Sequence, residues 1–328
     1  MDYQQMAEKS IQGELPSREE MQGILEAPAE ELPALLRAAF HVRSHFWGRK
    51  VHLHMLMNAR SGLCSEDCQY CSQSSISKAS IAKYPFLPRA QLVEGAYRAK
   101  AARAVRYCLV TSGRGPTDRD IDQVASIVRE IRDRVDINIC CCLGLTTEAQ
   151  ARRLKDAGVE RYNHNLNTSQ RFHPAICTTH AYEDRVRTVE NVRRAGLSTC
   201  CGGIVGMGEA DDDVIDLAVS LRELDVASIP INFLHPIPET PFEGRRNLTP
   251  ERCLKALCLF RFVNPAKEIR VAGGRELNLD GQQHLALYPA NSLFVNGYLT
   301  TPGQAAADTH RMIEAHGFEI DDTVPALT

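Results

Sequence analysis

Cys64, Cys68 and Cys71 fall within eight residues, Cys64-Ser65-Glu66-Asp67-Cys68-Gln69-Tyr70-Cys71, and the next cysteine is Cys108. A structural zinc site closes with four protein ligands, usually two short pairs of cysteine or histidine, so one C-x3-C-x2-C group suits zinc poorly. Three thiolates on one loop suit three irons of a [4Fe–4S] cluster and leave the fourth iron open to a ligand that is not protein. An open iron is a place for chemistry.

Other residues could act on a ligand nearby. In Tyr162-Asn163-His164-Asn165-Leu166-Asn167 the asparagines recur at every second position, and as a strand this segment would turn Asn163, Asn165 and Asn167 to one face. Buried amides need partners, at a cost of ~1–3 kcal/mol each when unpaired. The segment reads either as a polar loop or as a surface for a ligand with ribose, amino-acid or urea-like groups. Asn232 is a lone amide in the apolar run Ile229-Pro230-Ile231-Asn232-Phe233. Cys108 sits alone in an apolar strand, where packing is the commoner role. In Cys140-Cys141-Cys142 the outer two share a face, so parity allows either Cys140 or Cys142 as a ligand; Cys200 and Cys201 lie on opposite faces. Cys177, Cys253 and Cys258 read as surface or core residues, and His52, His54, His164 and His235 as packed or hydrogen-bonded rather than metal-binding.

The elements that must position these groups alternate along the chain. Strand-like runs VHLHMLMN, VRYCLVTS, DINICCCLG, RYNHNLNT, LSTCCGGIVGM, SIPINFLHPI, EIRVAGG and SLFVNGYL are each followed by a helical pattern, giving eight strand–helix units. Eight units predict an α/β fold, a (βα)8 TIM-type barrel, whose site lies at the C-terminal strand ends. Residues 17–47 carry helical periodicity with a proline interruption, so residues 1–48 are expected to form an N-terminal helical extension and 49–328 the barrel. The net charge of −3 offers no bulk attraction for nucleic acid or an anionic membrane. No apolar run reaches membrane-spanning length and the polar start is unlike a signal peptide, so a cytoplasmic location is expected. Twelve cysteines in such a location are expected to stay reduced.

The cysteine loop, with Tyr70 just before its last cysteine, resembles the cluster loop of radical S-adenosylmethionine (SAM) enzymes. GLCSEDCQYCSQSS, RYCLVTSG, NICCCLG, RYNHNLNTS, TCCGGIVGMGE, SIPINFL and IRVAGGRE, in that order, resemble the successive strand motifs of the biotin synthase family, from about residue 50 to the end. The resemblance implies a [4Fe–4S] cluster on Cys64, Cys68 and Cys71, with SAM at the open iron. It also implies a sulfur-donating [2Fe–2S] cluster held by Cys108, Cys140, Cys200 and Arg270, and so selects Cys140 and Cys200 where parity left the choice open. A buried Arg270 without an anionic partner would cost several kcal/mol, and a negatively charged cluster would supply one. The same resemblance places Tyr70, Asn163, Asn165, Asn167, Arg185 and Ile204 around SAM, with Arg185 on its carboxylate, and Asn165 and Asn232 at the ureido ring of dethiobiotin. Asn167 stands where some members carry Asp, and either side chain can hold a ribose hydroxyl. The implied reaction is radical sulfur insertion that closes the thiophane ring of biotin, fed by an electron donor such as flavodoxin or ferredoxin, in a homodimer. The alternative reading is a radical SAM enzyme with a similar barrel and no sulfur insertion.

Overall fold

The strands β1 (Lys50–Arg60), β2 (Arg106–Thr111), β3 (Asn138–Cys142), β4 (Arg161–Asn163), β5 (Ser198–Cys200), β6 (Gly203–Val205), β7 (Ser228–Phe233), β8 (Glu268–Val271) and β9 (Ser292–Phe294) lie side by side, all parallel. Pairing of His52 with Ser292 brings β9 back to β1 and closes the ring. Cys200 pairs with Ser228 and Gly203 with Ile231, the same offset along β7, so β5 and β6 occupy one position interrupted at Cys201 and Gly202. The barrel therefore has the eight positions that the alternating pattern predicts. The structure, a computed structural model, describes residues 1–323.

Short β-branched and aromatic runs form these strands because both faces are covered. Every residue of β2 is buried, as a parallel strand between a helix ring and a filled interior must be. The outer faces meet α4 (Arg89–Ala101), α5 (Asp118–Arg134), α6 (Glu148–Asp156), α7 (Tyr182–Arg194), α8 (Asp211–Glu223) and α9 (Pro250–Val263), which alternate with the strands. Local sequence starts several of them. Thr117 with Asp120 opens α5 and Thr147 with Gln150 opens α6, each as a reciprocal capping box that satisfies two otherwise free backbone N–H groups.

Before the barrel come α1 (Tyr3–Ile11), α2 (Arg18–Glu26) and α3 (Leu32–Trp47). The periodicity over 17–47 marks α2 and α3. The first helix is masked in sequence by its polar composition, yet Tyr3, Met6, Ala7 and Ser10 bury one face at helical spacing. Ser10 donates to the Phe262 carbonyl at 2.6 Å, tying this end of the chain to α9. Between β8 and β9 lies the short α10 (Arg275–Leu279), and after the ring α11 (Ala306–Ala315) leads to β10 (Glu319–Ile320), which extends the sheet at the start of β1.

One sequence expectation changes here. The fourth strand ends at Asn163, and Asn167 adopts φ +73°, so simple alternation does not carry through the asparagine segment. The glycines at 202 and 203 serve close strand packing: a Cβ on Gly202 would stand 1.9 Å from the Pro230 carbonyl oxygen, and one on Gly203 2.8 Å from that of Asn167.

Candidate active site

The cysteine loop leaves the C-terminal end of β1 and folds back on itself. Cys71 N–H donates to the Cys68 carbonyl at 3.1 Å, and Ser75 N–H to that of Glu66 at 2.8 Å. The loop is anchored to the segment before α7: Asp67 Oδ1 accepts from Thr178 N–H at 2.9 Å, and Gln69 N–H donates to the Ile176 carbonyl at 2.9 Å. Glu66 is buried between His180 and Thr179, with Arg114 at 3.4 Å. Contact with the Cys177 thiol at 3.8 Å, and then burial, push the Cys68 thiol well up. Burial pushes Cys71 to about 11, and the Arg185 guanidinium pulls both thiols the other way. Such thiols become thiolates only when a cation displaces their protons, which is what iron does. Three cysteine thiols on one folded loop thus fit an iron–sulfur cluster in donor type.

A second set of sulfurs lies inside the barrel. Cys108 of β2 and Cys140 of β3 are direct cross-strand partners, and Cys200 of β5 pairs with Asn163 of β4. Asn163 Nδ2 reaches the Cys200 sulfur at 3.1 Å, and Arg270 Nη1 reaches it at 3.6 Å. Cys141 and Cys201 pack in the apolar layer shared with the helices, on the opposite face. Cys142 faces inward too and opens on the cavity described below, while burial pushes its thiol up to about 12. Parity therefore holds, and it is the register that puts Cys140 beside Cys108.

Beneath these sulfurs is a charged layer that sequence reading missed in part. Arg270 is fully buried, but it already has an anion: Glu268, two residues earlier on the same strand, is in contact with Nη2. Ser228 accepts from Nη2 at 2.8 Å, Ser292 accepts from Nε at 3.0 Å, and His54 Nε2 lies 3.2 Å away. Contrary to the sequence expectation, Arg270 therefore needs no cluster for charge balance, and only Nη1 is left facing sulfur. Glu268 also accepts from Arg161 Nη1 at 3.2 Å. Arg161 and Arg270 hold the Glu268 carboxyl well below its ordinary range against the opposing effect of burial. Burial, with positive Arg270 next, pushes the His54 imidazole down, so it is neutral and can accept from Arg270. The signal in sequence was the pattern Glu268-x-Arg270, which alternation places on one face.

A cavity of about 290 Å³ opens on both sulfur sets, since Cys71 and Cys108 both line it. Tyr70, Asn163, Asn165, Ile204 and Asn232 form part of its wall. Asn165 Oδ1 accepts from Asn163 Nδ2 and Gly202 N–H, both at 3.1 Å. Asn232 donates to the Gly203 carbonyl at 3.1 Å and accepts from Gly273 N–H at 2.9 Å, so it braces two strands as well as facing the cavity. Asn167 and Arg185 are buried behind the wall. The Tyr70 hydroxyl lies 2.5 Å from the Asn167 carboxamide, whose oxygen also faces Arg185 Nη1 at 3.1 Å. Arg185 Nη1 also donates to the Asn165 carbonyl at 2.8 Å. Sequence alone gave no reason to bury Arg185 or to bring Cys177 against Cys68; Cys177, with Glu66 and His180, belongs to a buried network under the loop.

Residues 60–221 match the family model of the radical SAM superfamily, and residues 230–319 that of the biotin and thiamin synthesis associated domain. The chain is 53% identical to the biotin synthase of Bacillus subtilis, over 97% of this chain and 95% of that protein. It is also 53% identical to that of Halalkalibacterium halodurans, over 98% and 96%. Among solved structures, methylornithine synthase superposes with a TM-score of 0.84 at 18% identity, covering 96% of this chain and 97% of the other. The [FeFe]-hydrogenase maturase of Carboxydothermus hydrogenoformans gives 0.80 at 18%, covering 97% and 78%. At these identities the two structures speak for the fold alone.

Proposed function

The chain belongs to the biotin synthase family, and from that premise we propose how its residues divide the conversion of dethiobiotin to biotin between two sulfur-lined sites. Radical SAM chemistry on iron–sulfur is the family's activity, with SAM and dethiobiotin as substrates. In our reading Cys64, Cys68 and Cys71 hold a [4Fe–4S] cluster, and Cys108, Cys140, Cys200 and Arg270 hold a [2Fe–2S] cluster. When bound, the first cluster with SAM supplies the oxidant for an unactivated C–H bond, and the second supplies the inserted sulfur.

The protein's part is placement and exclusion of water. Tyr70, Asn163, Asn165 and Ile204 present an aromatic edge, two amides and an aliphatic face to SAM, while Asn167 and Arg185 hold that wall from behind. Asn165 and Asn232 offer directional partners to the ureido ring, whose N–H and C=O groups match a carboxamide. The observation that carries the reading is the single cavity onto which Cys71 of the first set and Cys108 of the second both open, with these amides in its wall. A substrate in that cavity lies between the two sets, and the barrel wall keeps bulk solvent from a reactive carbon.

Iron and acid-labile sulfide counted per chain after anaerobic reconstitution test the proposal. Two clusters on the wild type, with Cys140→Ala losing only the second, support it. One cluster on the wild type under every reconstitution condition overturns it.

A further inference from the structure

Of Arg106, Arg161 and Arg270 in the interior layer, Arg106 alone has buried donors with no partner among the described residues. It lies on β2 two residues before Cys108, on the same face of the strand, and only 4% of it is exposed. Arg161 gives its donors to Ser198 and Glu268, and Arg270 to Glu268, Ser228 and Ser292. Arg106 Nε and Nη1 have no acceptor among the described residues. The carboxylates nearby are engaged elsewhere, Glu268 by Arg161 and Arg270, and Glu160 by Arg132 at 2.7 Å and Ile139 N–H at 3.1 Å. A buried guanidinium with two idle donors is costly, and such a group calls for an acceptor beyond the protein atoms around it.

Resting on the two-cluster reading, we infer that Arg106 is a positioning residue for the sulfur donor, directing Nε–H and Nη1–H to the sulfur atoms held between Cys108, Cys140 and Cys200. Sulfide and thiolate sulfurs are anionic acceptors, and they are the acceptors this part of the barrel is built to gather. Arg106 is not a ligand. It completes its hydrogen bonds only when the second cluster is in place, so its cost to the empty chain and its benefit to the loaded chain have opposite signs.

That sign change is the test. Full-length wild type, Arg106→Met and Arg106→Lys are compared by anaerobic thermal unfolding, both cluster-free and reconstituted, together with the rate at which a chelator removes the second cluster's iron. Arg106→Met should melt higher than wild type when cluster-free, because an unpartnered charge has gone, and should gain less on reconstitution. Its second-cluster iron should be lost about tenfold faster, the usual scale for removing a group that hydrogen-bonds to metal-bound atoms. Arg106→Lys, which keeps charge and one donor group, should fall between. If Arg106→Met melts lower than wild type by the same amount in both states, or releases iron at the wild-type rate, the inference fails and Arg106 is merely structural. If the wild type never takes a second cluster, the two-cluster reading falls and this inference with it.

Discussion

Glu268→Gln should expose how the interior layer is held. The carboxylate is almost wholly buried, lies against Arg270, accepts from Arg161 at 3.2 Å and from Ser228 at 2.8 Å, and has His54 Nε2 at 3.3 Å. Gln keeps the shape and an acceptor oxygen but removes the charge, leaving Arg161 and Arg270 buried without an anion. Breaking a buried pair in this way costs ~3–5 kcal/mol, and the retained hydrogen bonds place the expectation near the lower figure. For a domain of this size that corresponds to a fall in Tm of roughly 5–10 °C. The sign with pH follows from the depressed carboxyl: its contribution is complete above the ordinary range near about 4.3 and is lost as pH falls through the lower folded value. The gap between wild type and variant should therefore be constant from neutral pH down to that range and then close in acid. The assay is anaerobic thermal unfolding of cluster-free protein across pH, with Asp212→Asn as control, since its pair with Arg18 is solvent-exposed and should matter little. A Glu268→Gln protein that melts within a degree of wild type would refute the claim that this carboxylate neutralises the layer.

Cys68→Ala should abolish 5′-deoxyadenosine formation under a strong reductant while circular dichroism stays that of the wild type; wild-type yield with verified iron loss would show that the loop does not hold the SAM cluster. Asn232→Ala should weaken dethiobiotin binding by ~1–3 kcal/mol, about tenfold or more in Kd, and calorimetry giving an unchanged Kd would turn Asn232 into a strand brace alone. Thr117→Ala removes the capping box of α5 and should cost ~1 kcal/mol in denaturant unfolding, with cluster content unchanged.

The barrel was legible because its signals are local and repeated: strand-like runs, each followed by an amphipathic pattern. The sulfur sets were legible for different reasons. Cys64, Cys68 and Cys71 share one loop, so spacing exposes them, whereas Cys108, Cys140 and Cys200 come from separate strands, and only resemblance groups all three, the register adding that Cys108 lies beside Cys140. Alternation set Cys141 apart from Cys140 and Cys142 and put Cys200 and Cys201 on opposite faces, and only the resemblance chose Cys140 and Cys200; in the structure Cys141 and Cys201 pack outward and Cys140 pairs with Cys108. It failed at Asn167, where the backbone turns left-handed after a strand shorter than expected. Long-range electrostatics were the least visible part. Alternation puts Glu268 and Arg270 on one face, but nothing in sequence told that Arg161 joins them, that Arg106 finds nothing among the described residues, or that Arg185 is buried against the asparagines, because these depend on which strands and helices become neighbours.

The fold is shared with methylornithine synthase and a hydrogenase maturase, so the claim that most needs testing is sulfur insertion from the interior site. The direct measurement is one anaerobic turnover experiment on reconstituted wild type, Cys140→Ala and Cys141→Ala, with 5′-deoxyadenosine and biotin quantified together. Cys140→Ala should still release 5′-deoxyadenosine but make no biotin, and Cys141→Ala, whose side chain packs in the outer apolar layer, should make both. Biotin from Cys140→Ala at the wild-type yield would contradict the account.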